Sequence, residues 1–547
     1  MTTLIADDVA RSLAEYGQPD ACAAELLCDR HPTDAVAFRV VDPDLTVTEL
    51  TFGELRERSE RFAAALAGLG VSAGEAVGVL MGKSADLPAI LLGIWRLGAV
   101  HVPLFTAFAA PAIAMRLEGS GARVVVADAN QVDKLADAGP GGAGRQVVQV
   151  GGDRPARDGW HRYGDLVAAD ADLPTVEPAR LGPDAPLVVL FTSGTTGAPK
   201  GVPVPVRALA ALTRYVVDAL DVRYEDVFWN AADPGWAYGL YYAVLGPMAL
   251  GRESILLHAG FSPELTWRVL DELGVTNFAG APTIYRSLRA DAASAGRSVR
   301  LRRASSAGEP LTPEVVSWSA DALGVTVRDH YGQTEHGMVA TNAWRDELRE
   351  EMPPGSMGRA LPGWSCAVLL EDRDEVAPAG TVGRLAIDTQ ASPLMWFTGY
   401  LDAPEKTAER FTADGRWYLT GDTAAQDAEG RLFFSSRDDD VIIMAGYRIS
   451  PFDVESVLVT HDAVAEAAAV AAPDQLRGEV LEAYVVLRPG REGSPDLVAE
   501  LQQLVKTQFA AHAYPRSIHF VEELPKTPSG KIQRFKLRQE ARSRTAG

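Results

Sequence analysis

The feature that most constrains this chain is an alternation of two periods in its first third. Residues 51 to 70, "TFGELRERSERFAAALAGLG", place Leu55, Phe62, Leu66 and Leu69 at helical spacing and end on glycine. The next stretch, "EAVGVLMG" (75 to 82), is a short continuous apolar run, as a strand buried on both faces has. A helical "SADLPAILLGIWRLGA", a strand-like "AVHVPL" and another apolar run, "ARVVVADA" (122 to 129), repeat the pattern. Buried strands alternating with amphipathic helices predict a mostly parallel sheet covered on both sides. At 547 residues the chain is too long for a single core. The alternation resumes at 185 and runs to about 330. Residues 138 to 159, rich in Gly, Arg and Asp, read as an exposed connection.

From 355 to 434 the segments shorten and glycine turns multiply, as in "GTVGRLAI" and "GRLFFSSRDDD", which predicts a small β-rich subdomain. A strand–turn–strand over 435 to 449 then leads into a last segment with its own α/β order. The expected organisation is an α/β protein: a large N-terminal domain (1 to 436) of parallel-type sheets with helices, containing the β-rich subdomain; a hinge at 437 to 440; and a mobile α+β C-terminal domain (441 to 547).

Bulk properties exclude several classes. A formal net charge of −21 argues against nucleic-acid or anionic-membrane partners, which call for excess Lys and Arg. Three cysteines with no C-x-x-C, and nine histidines with no metal-ligand spacing, argue against a disulfide framework or a zinc site and fit a reducing cytoplasm. The N-terminus lacks an apolar h-region, so no signal peptide is expected. The longest uncharged stretch, 234 to 250, approaches a membrane span in length. Its prolines, glycines and tyrosines read instead as a buried turn and helix.

Residues 190 to 201, "LFTSGTTGAPKG", look at first like a phosphate loop. A Walker A loop has its lysine next to the second glycine; here Ala198 and Pro199 separate Gly197 from Lys200, and the P-loop reading fails on spacing. The chemistry still suits phosphate. Gly194 and Gly197 let backbone N–H groups approach an anion, Thr192, Ser193, Thr195 and Thr196 add hydroxyls, and Lys200 adds charge. The loop and five further stretches, in order, resemble the signatures of the adenylate-forming superfamily: acyl-CoA synthetases, adenylation domains and luciferases. These are "SSAGEPL" (305 to 311), "YGQTEHG" (331 to 337), "WYLTGD" (417 to 422), "RDDDVIIMAGYRISPFDVE" (437 to 455) and "LPKTPSGKIQR" (524 to 534). The look is closest to the acetyl-CoA and medium-chain acyl-CoA synthetase branch.

The resemblance implies roles that the residues alone would not. Lys531, otherwise an ordinary lysine in a basic tail, becomes the catalytic lysine that contacts carboxylate and α-phosphate. Glu335, with Thr334 beside it, becomes the Mg²⁺ ligand. Tyr331, Gly308, Glu309 and Pro310 border adenine; Asp422 and Arg437 hold the ribose; Asp439 is the hinge. Gly446, Tyr447 and Arg448, with Lys506, meet coenzyme A after the small domain rotates. The acyl pocket is expected at Trp236, Tyr238, Gly239, Gly332 and His336. Acetate-specific relatives carry tryptophan where Gly332 stands, so the acid expected here is larger than acetate: short-branched, medium-chain or aryl. No acidic residue stands out to hold an amino group.

The implied reaction activates a carboxylic acid with ATP to an acyl-adenylate and passes the acyl group to coenzyme A. The alternative is a stand-alone adenylating enzyme that loads a carrier protein or an amine. A homodimer is compatible with either.

Overall fold

The computed structural model describes residues 2–136, 145–152, 160–192, 199–291, 299, 301–437, 440, 442–444, 447–474, 478–509, 513–527 and 531–545. The alternation predicts the first layer correctly. Strands Trp160–Arg162, Gln146–Val150, Val124–Asp128, Ala76–Leu80, Val100–Pro103, Pro186–Thr192 and Lys200–Pro205 form one sheet in that order. All neighbours are parallel except the last pair, an antiparallel hairpin. The helix Phe52–Gly68 covers it. A reciprocal capping box starts this helix: Glu54 N–H donates to Thr51 Oγ1 at 3.2 Å, and Thr51 N–H donates to Glu54 Oε2 at 2.8 Å. Leu55, Phe62 and Leu66 are fully buried on its inner face.

A second sheet has ten strands. Phe228–Asn230, Asn277–Gly280, Arg303–Ala307 and Arg328–Gln333 run parallel. Gly337–Thr341, Ser356–Ala360, Leu432–Arg437, Trp417–Gln426, Val382–Asp388 and Cys366–Leu369 continue it antiparallel. The strands of the β-rich segment therefore do not stand apart. Ser356–Ala360 pairs Gly337–Thr341 on one side and Leu432–Arg437 on the other, which welds the segment to the parallel half. A small third sheet, Val36–Val41 between Val47–Thr51 and Ser254–Leu257, joins chain regions about two hundred residues apart.

Residues 442 onward build their own sheet and core. Val464–Asp474 and Gly478–Leu487 are antiparallel; Ser517–Val521 lies parallel to Gly478–Leu487; and Ile442–Met444 with Tyr447–Ile449 forms a hairpin at the edge. Ile442, Val454, Leu458, Leu481 and Leu501 pack inside it, separate from the main core. Ser450 and Ser494 cap the helices Pro451–Leu458 and Pro495–Gln508, each with proline in the first turn. The stretch 234 to 250 is a buried series of short helical turns, and among the described residues no helix is long and apolar enough to cross a membrane.

Candidate active site

In parallel sheets the carboxyl ends of the strands open onto loops, and ligand sites gather there. Both parallel sheets point these ends at one cleft of about 1270 Å³. Gly82 and Lys83, Phe105, Asp128 and Thr192 come to it from the first sheet; Asp233, Ala281, Gly308 and Gln333 come from the second. The C-terminal part closes it with Glu455, Lys531 and Arg534.

The glycine–hydroxyl loop lies in the first sheet's terminal hairpin, between Pro186–Thr192 and Lys200–Pro205. It thus joins two antiparallel strands, whereas a P-loop leads from a strand into a helix. Thr192 and Lys200 line the cleft. Ser193, Gly194, Thr195, Thr196 and Gly197 lie outside the described residues, as do Asp439 and Gly446. Lys200 Nζ stands 4.5 Å from the centre of the Tyr400 ring. Tyr400 in turn donates its hydroxyl to Glu335 Oε1 at 2.8 Å and accepts from Arg410 Nε at 3.2 Å. Glu335 is buried and already oriented. Thr334 lines the cleft beside it, with its carbonyl taken by the Tyr241 hydroxyl at 2.9 Å.

The corner around Asp422, where the resemblance places the ribose, is built from two adjacent motifs. Tyr331 donates its hydroxyl to Asp422 Oδ2 at 2.5 Å, and Gln333 Nε2 donates to the same oxygen at 2.7 Å. Gln333 also donates to the Thr420 carbonyl at 2.9 Å, and Arg437 lies opposite Asp422 in register. Burial raises the Asp422 carboxyl; Arg437, Tyr331, Gln333 and Lys531 pull it back down. Gly308, Glu309 and Pro310 form the turn beyond Arg303–Ala307, and Gly308 holds φ +99°, a conformation that suits glycine. Glu309 is anchored by Arg286 Nη2 at 2.7 Å and Thr283 Oγ1 at 3.0 Å.

Lys531 reaches this corner. Its backbone is pinned by Thr527: Lys531 N–H donates to Thr527 Oγ1 at 3.0 Å, and Thr527 N–H donates to the Lys531 carbonyl at 2.7 Å. Arg534, paired with Glu455 at 2.6 Å, ties the following helix to Pro451–Leu458. Solvent reaches Lys531 within the cleft, yet protein surrounds it. This enclosure lowers its pKa; Glu309, Asp422 and Glu335 oppose that, and Arg437 adds to it. The acidic run at 438 to 440 has one described member, Asp440, which pairs with Arg538 and, at 3.7 Å, with Arg534. It acts as an anchor within the C-terminal part.

Two sequence expectations need correction. Gly239 does not line the cleft; a Cβ there would sit 2.2 Å from the Asp233 carbonyl oxygen, so glycine lets the chain cross itself closely. His336 is fully buried against Trp364 and Tyr418, away from the cleft. Lys506, expected at coenzyme A after rotation, has its ammonium 4.0 Å from the centre of the Tyr514 ring. Gly332 does line the cleft, but its glycine has a local cause: a Cβ would meet the Gly337 carbonyl oxygen at 2.1 Å across the hairpin. Trp236 and Tyr238 line the cleft. Tyr447 and Arg448 lie on the strand Tyr447–Ile449.

Sequence reasoning missed Lys83, Arg286, Tyr400, Arg410 and His330. All but Tyr400 line the cleft. Lys83 directly follows a buried strand end and is depressed by burial, with Asp233 opposing. Position after an apolar strand was the one available signal for it.

This architecture, a two-sheet cleft closed by a lysine from a separate small sheet, defines a nucleotide-dependent acyl-activating enzyme. Residues 25–401 match the AMP-binding enzyme family, and residues 453–531 match the AMP-binding enzyme C-terminal domain. The chain belongs to that family. It is 36% identical over 499 residues to the acetyl-coenzyme A synthetase of Bacillus subtilis (strain 168), covering 89% of this chain and 84% of that protein. The crystal structure of a Brucella canis acyl-CoA synthetase superimposes with TM-score 0.76 at 45% identity, covering 98% of both chains. The anthranilate CoA ligase AuaEII, solved with anthranoyl-AMP, superimposes with TM-score 0.86 at 28% identity over 97% of this chain and 99% of its own. The protein is thus an acid–thiol ligase of the AMP-forming acyl-CoA synthetase type, in an ATP-dependent family.

Proposed function

We propose that this enzyme activates a carboxylic acid larger than acetate, short- or medium-chain or aryl, and that its acyl acceptor is coenzyme A in the cytoplasm. The observation that carries the reading is the meeting of Lys531, from the C-terminal part, with Asp422, Glu309 and Arg437 in one cleft. In the first half-reaction the acid's carboxylate oxygen attacks the α-phosphorus of ATP, and the bond to pyrophosphate breaks. Two anions must approach each other, so the chain needs cations at the point of attack. Lys531 and Lys200 supply them, and Arg437 adds to the field around the ribose.

Glu335 and Thr334 would hold Mg²⁺. Among the described residues no cluster of three acidic, histidine or cysteine groups is present, so ATP phosphates and water would complete the shell, an arrangement that Mg²⁺ favours. When bound, the ion offsets phosphate charge. The second half-reaction requires Lys531 to leave and a thiol to enter, for which we propose rotation of the part after residue 440 about the 437 to 440 segment. Gly446, Tyr447 and Arg448 would then face the thiol's path.

Support for the larger acid is the aromatic wall of Trp236, Tyr238, Tyr241 and Tyr242. Phe105 and Phe108 pack on Trp236 with ring centres 5.4 and 5.3 Å away. A neighbour of this fold binds anthranoyl-AMP. The test is incubation with ATP, Mg²⁺, coenzyme A and a pooled panel of acids, read by mass spectrometry. Acyl-CoA from acids longer than acetate is expected. Exclusive acetyl-CoA formation would overturn the size assignment. Acyl-adenylate without thioester would overturn the acceptor.

A further inference from the structure

Arg410 is a cation of the cleft to which none of the steps above gives a role. It follows the short helix Pro404–Ala408 and leads toward the strand Trp417–Gln426. It is partly exposed and borders the cleft. Its Nε donates to the Tyr400 hydroxyl at 3.2 Å, and its Nη1 donates to the Thr420 carbonyl at 3.3 Å. Gly421 leaves room for it: the backbone there has φ +73°, and a Cβ would meet Nη1 at 2.7 Å. A guanidinium carries five N–H donors, of which these two bonds use two. Arg410 reaches Glu335 through Tyr400, whose hydroxyl donates to Oε1 at 2.8 Å, and makes no direct ion pair among the described residues.

The charges of the cleft fall into two groups. Those acting on Lys531 are Glu309, Arg437, Asp422 and Glu335. Those acting on Lys200 are Arg410, Glu335, Lys406 and Glu409. Each lysine thus has its own arginine, and Glu335 acts on both. Lys406 and Glu409 pair with each other at 2.8 Å on the surface. What remains around Tyr400 is two cations, Lys200 over its ring and Arg410 at its hydroxyl, against one acid. Burial lowers the Lys200 pKa, and Arg410 lowers it further. Two like charges held on one tyrosine gain nothing from each other. In a chain of net charge −21 this positive surplus is local, and an anion entering the cleft would offset it.

We propose that Arg410 is a further ligand for the diphosphate part of ATP, holding the β- and γ-phosphates with Lys200 while Lys531 serves the α-phosphate. Arg410 bonds Thr420, two residues before Asp422, and also Tyr400, which carries Lys200 on its ring. It therefore stands between the Asp422 corner and Lys200. A nucleotide with its ribose at Asp422 and its outer phosphates at Lys200 has to pass it. The N–H groups left over belong to a planar fork, which matches phosphate oxygens in pairs. As the acid's oxygen bonds to the α-phosphorus, the bond from that phosphorus to the bridging oxygen breaks, and its electron pair leaves with the diphosphate. Arg410 would stabilise the charge that grows there. The inference rests on the acid-activating reading above.

The test measures binding of ATP and of AMP by calorimetry, with Mg²⁺ and without acid, in the parent, Arg410→Gln and Arg410→Lys. Arg410→Gln should weaken ATP by about tenfold or more and leave AMP within about twofold, because AMP lacks the two outer phosphates. Arg410→Lys keeps the charge without the fork and should fall between. A role confined to holding Tyr400 is separated by repeating Arg410→Gln in Tyr400→Phe, where the same loss should remain. Thermal melts establish which variants fold. If Arg410→Gln does not, Arg410→Lys decides: ATP weakened by about threefold or more with AMP unchanged supports the assignment, and ATP unchanged overturns it. Equal losses for ATP and AMP, no loss for either, or an effect that vanishes in Tyr400→Phe would also overturn it while nucleotide binding stands. If the parent binds neither nucleotide, the reading of the cleft falls first and the inference with it.

Discussion

The Asp422 corner and the Tyr238 wall are two sides of one cleft that meet on neighbouring residues of one strand, and they handle polar groups differently. At the first, one oxygen of a carboxylate, Asp422, is held by Tyr331 and Gln333, and Gln333 is itself fixed on the Thr420 carbonyl. One residue back along the strand, His330 is buried and its Nδ1 meets the Tyr215 hydroxyl, which in turn meets that of Tyr238, a chain of neutral groups. Under the proposed function, a side that binds the same nucleotide in every turnover gains from being fixed before the ligand arrives. Under the same reading, a side that receives an apolar acyl group gains from polar groups already paired with one another.

The largest expected effect breaks the nucleotide side outright. Lys531→Ala should lower ATP–pyrophosphate exchange by roughly a hundredfold to a thousandfold, the scale seen when one charge-stabilising donor is lost. Thioester formation from supplied acyl-adenylate should survive, because the proposed rotation removes Lys531 before the thiol enters. Equal loss of both steps would refute the rotation. Asp422→Asn comes next. It keeps the shape of the corner but turns an acceptor of two hydrogen bonds into a group that can clash with the Tyr331 or Gln333 donor. A rise in KM for ATP of roughly ten- to a hundredfold is expected, with the ranking of acids unchanged. A changed ranking would show that the two sides are not independent. Tyr400→Phe is milder. Glu335 loses one oriented hydrogen bond and should shift the Mg²⁺ dependence by roughly three- to tenfold. An unchanged Mg²⁺ titration would remove Glu335 from the metal role.

The same contrast explains what the sequence disclosed. The parallel layers were readable because alternation of apolar strands and amphipathic helices is local. So were the pieces of the Asp422 corner: Tyr331 lies on one short strand and Asp422 on another, and the fold has only to bring the two together; Gln333, which also holds Asp422, was not read as part of it. The three-stranded sheet was not readable, since Phe38 pairs with Ser254 across more than two hundred residues and no periodicity encodes that. Nor was the acyl wall. Tyr215 and His330 are 115 residues apart, and Tyr400 and Glu335 are 65 apart. His336 looked like a site residue by its place in a motif, but the turn at Gly337, with φ +73°, leaves it facing Trp364 and the core. Gly239 reads as a pocket residue but does not line the cleft, and backbone crowding at Asp233 accounts for it; Gly332 does line the cleft, with crowding across the hairpin as the reason for its glycine.

The smallest effect concerns Asp329, the residue before His330. It is buried, accepts from the His330 N–H at 3.1 Å, and burial raises its pKa from 3.8 to about 8, with the Leu311 and His330 amides opposing. The folded protein therefore keeps this proton where the unfolded chain has lost it. The contribution to stability is fully present below pH 3.8 and drains away as pH rises toward 8, with a slope of at most about 1.4 kcal/mol per pH unit. Asp329→Asn retains an acceptor for both amides and has no proton to lose. Its melting temperature should nearly match the parent's at pH 4 and exceed it by a few degrees at pH 8, the gap widening steadily between. A gap that is constant in pH, or that widens toward acid, would mean Asp329 is ionised in the fold. The cleft would then carry a buried negative charge beside the Tyr238–Tyr215–His330 chain.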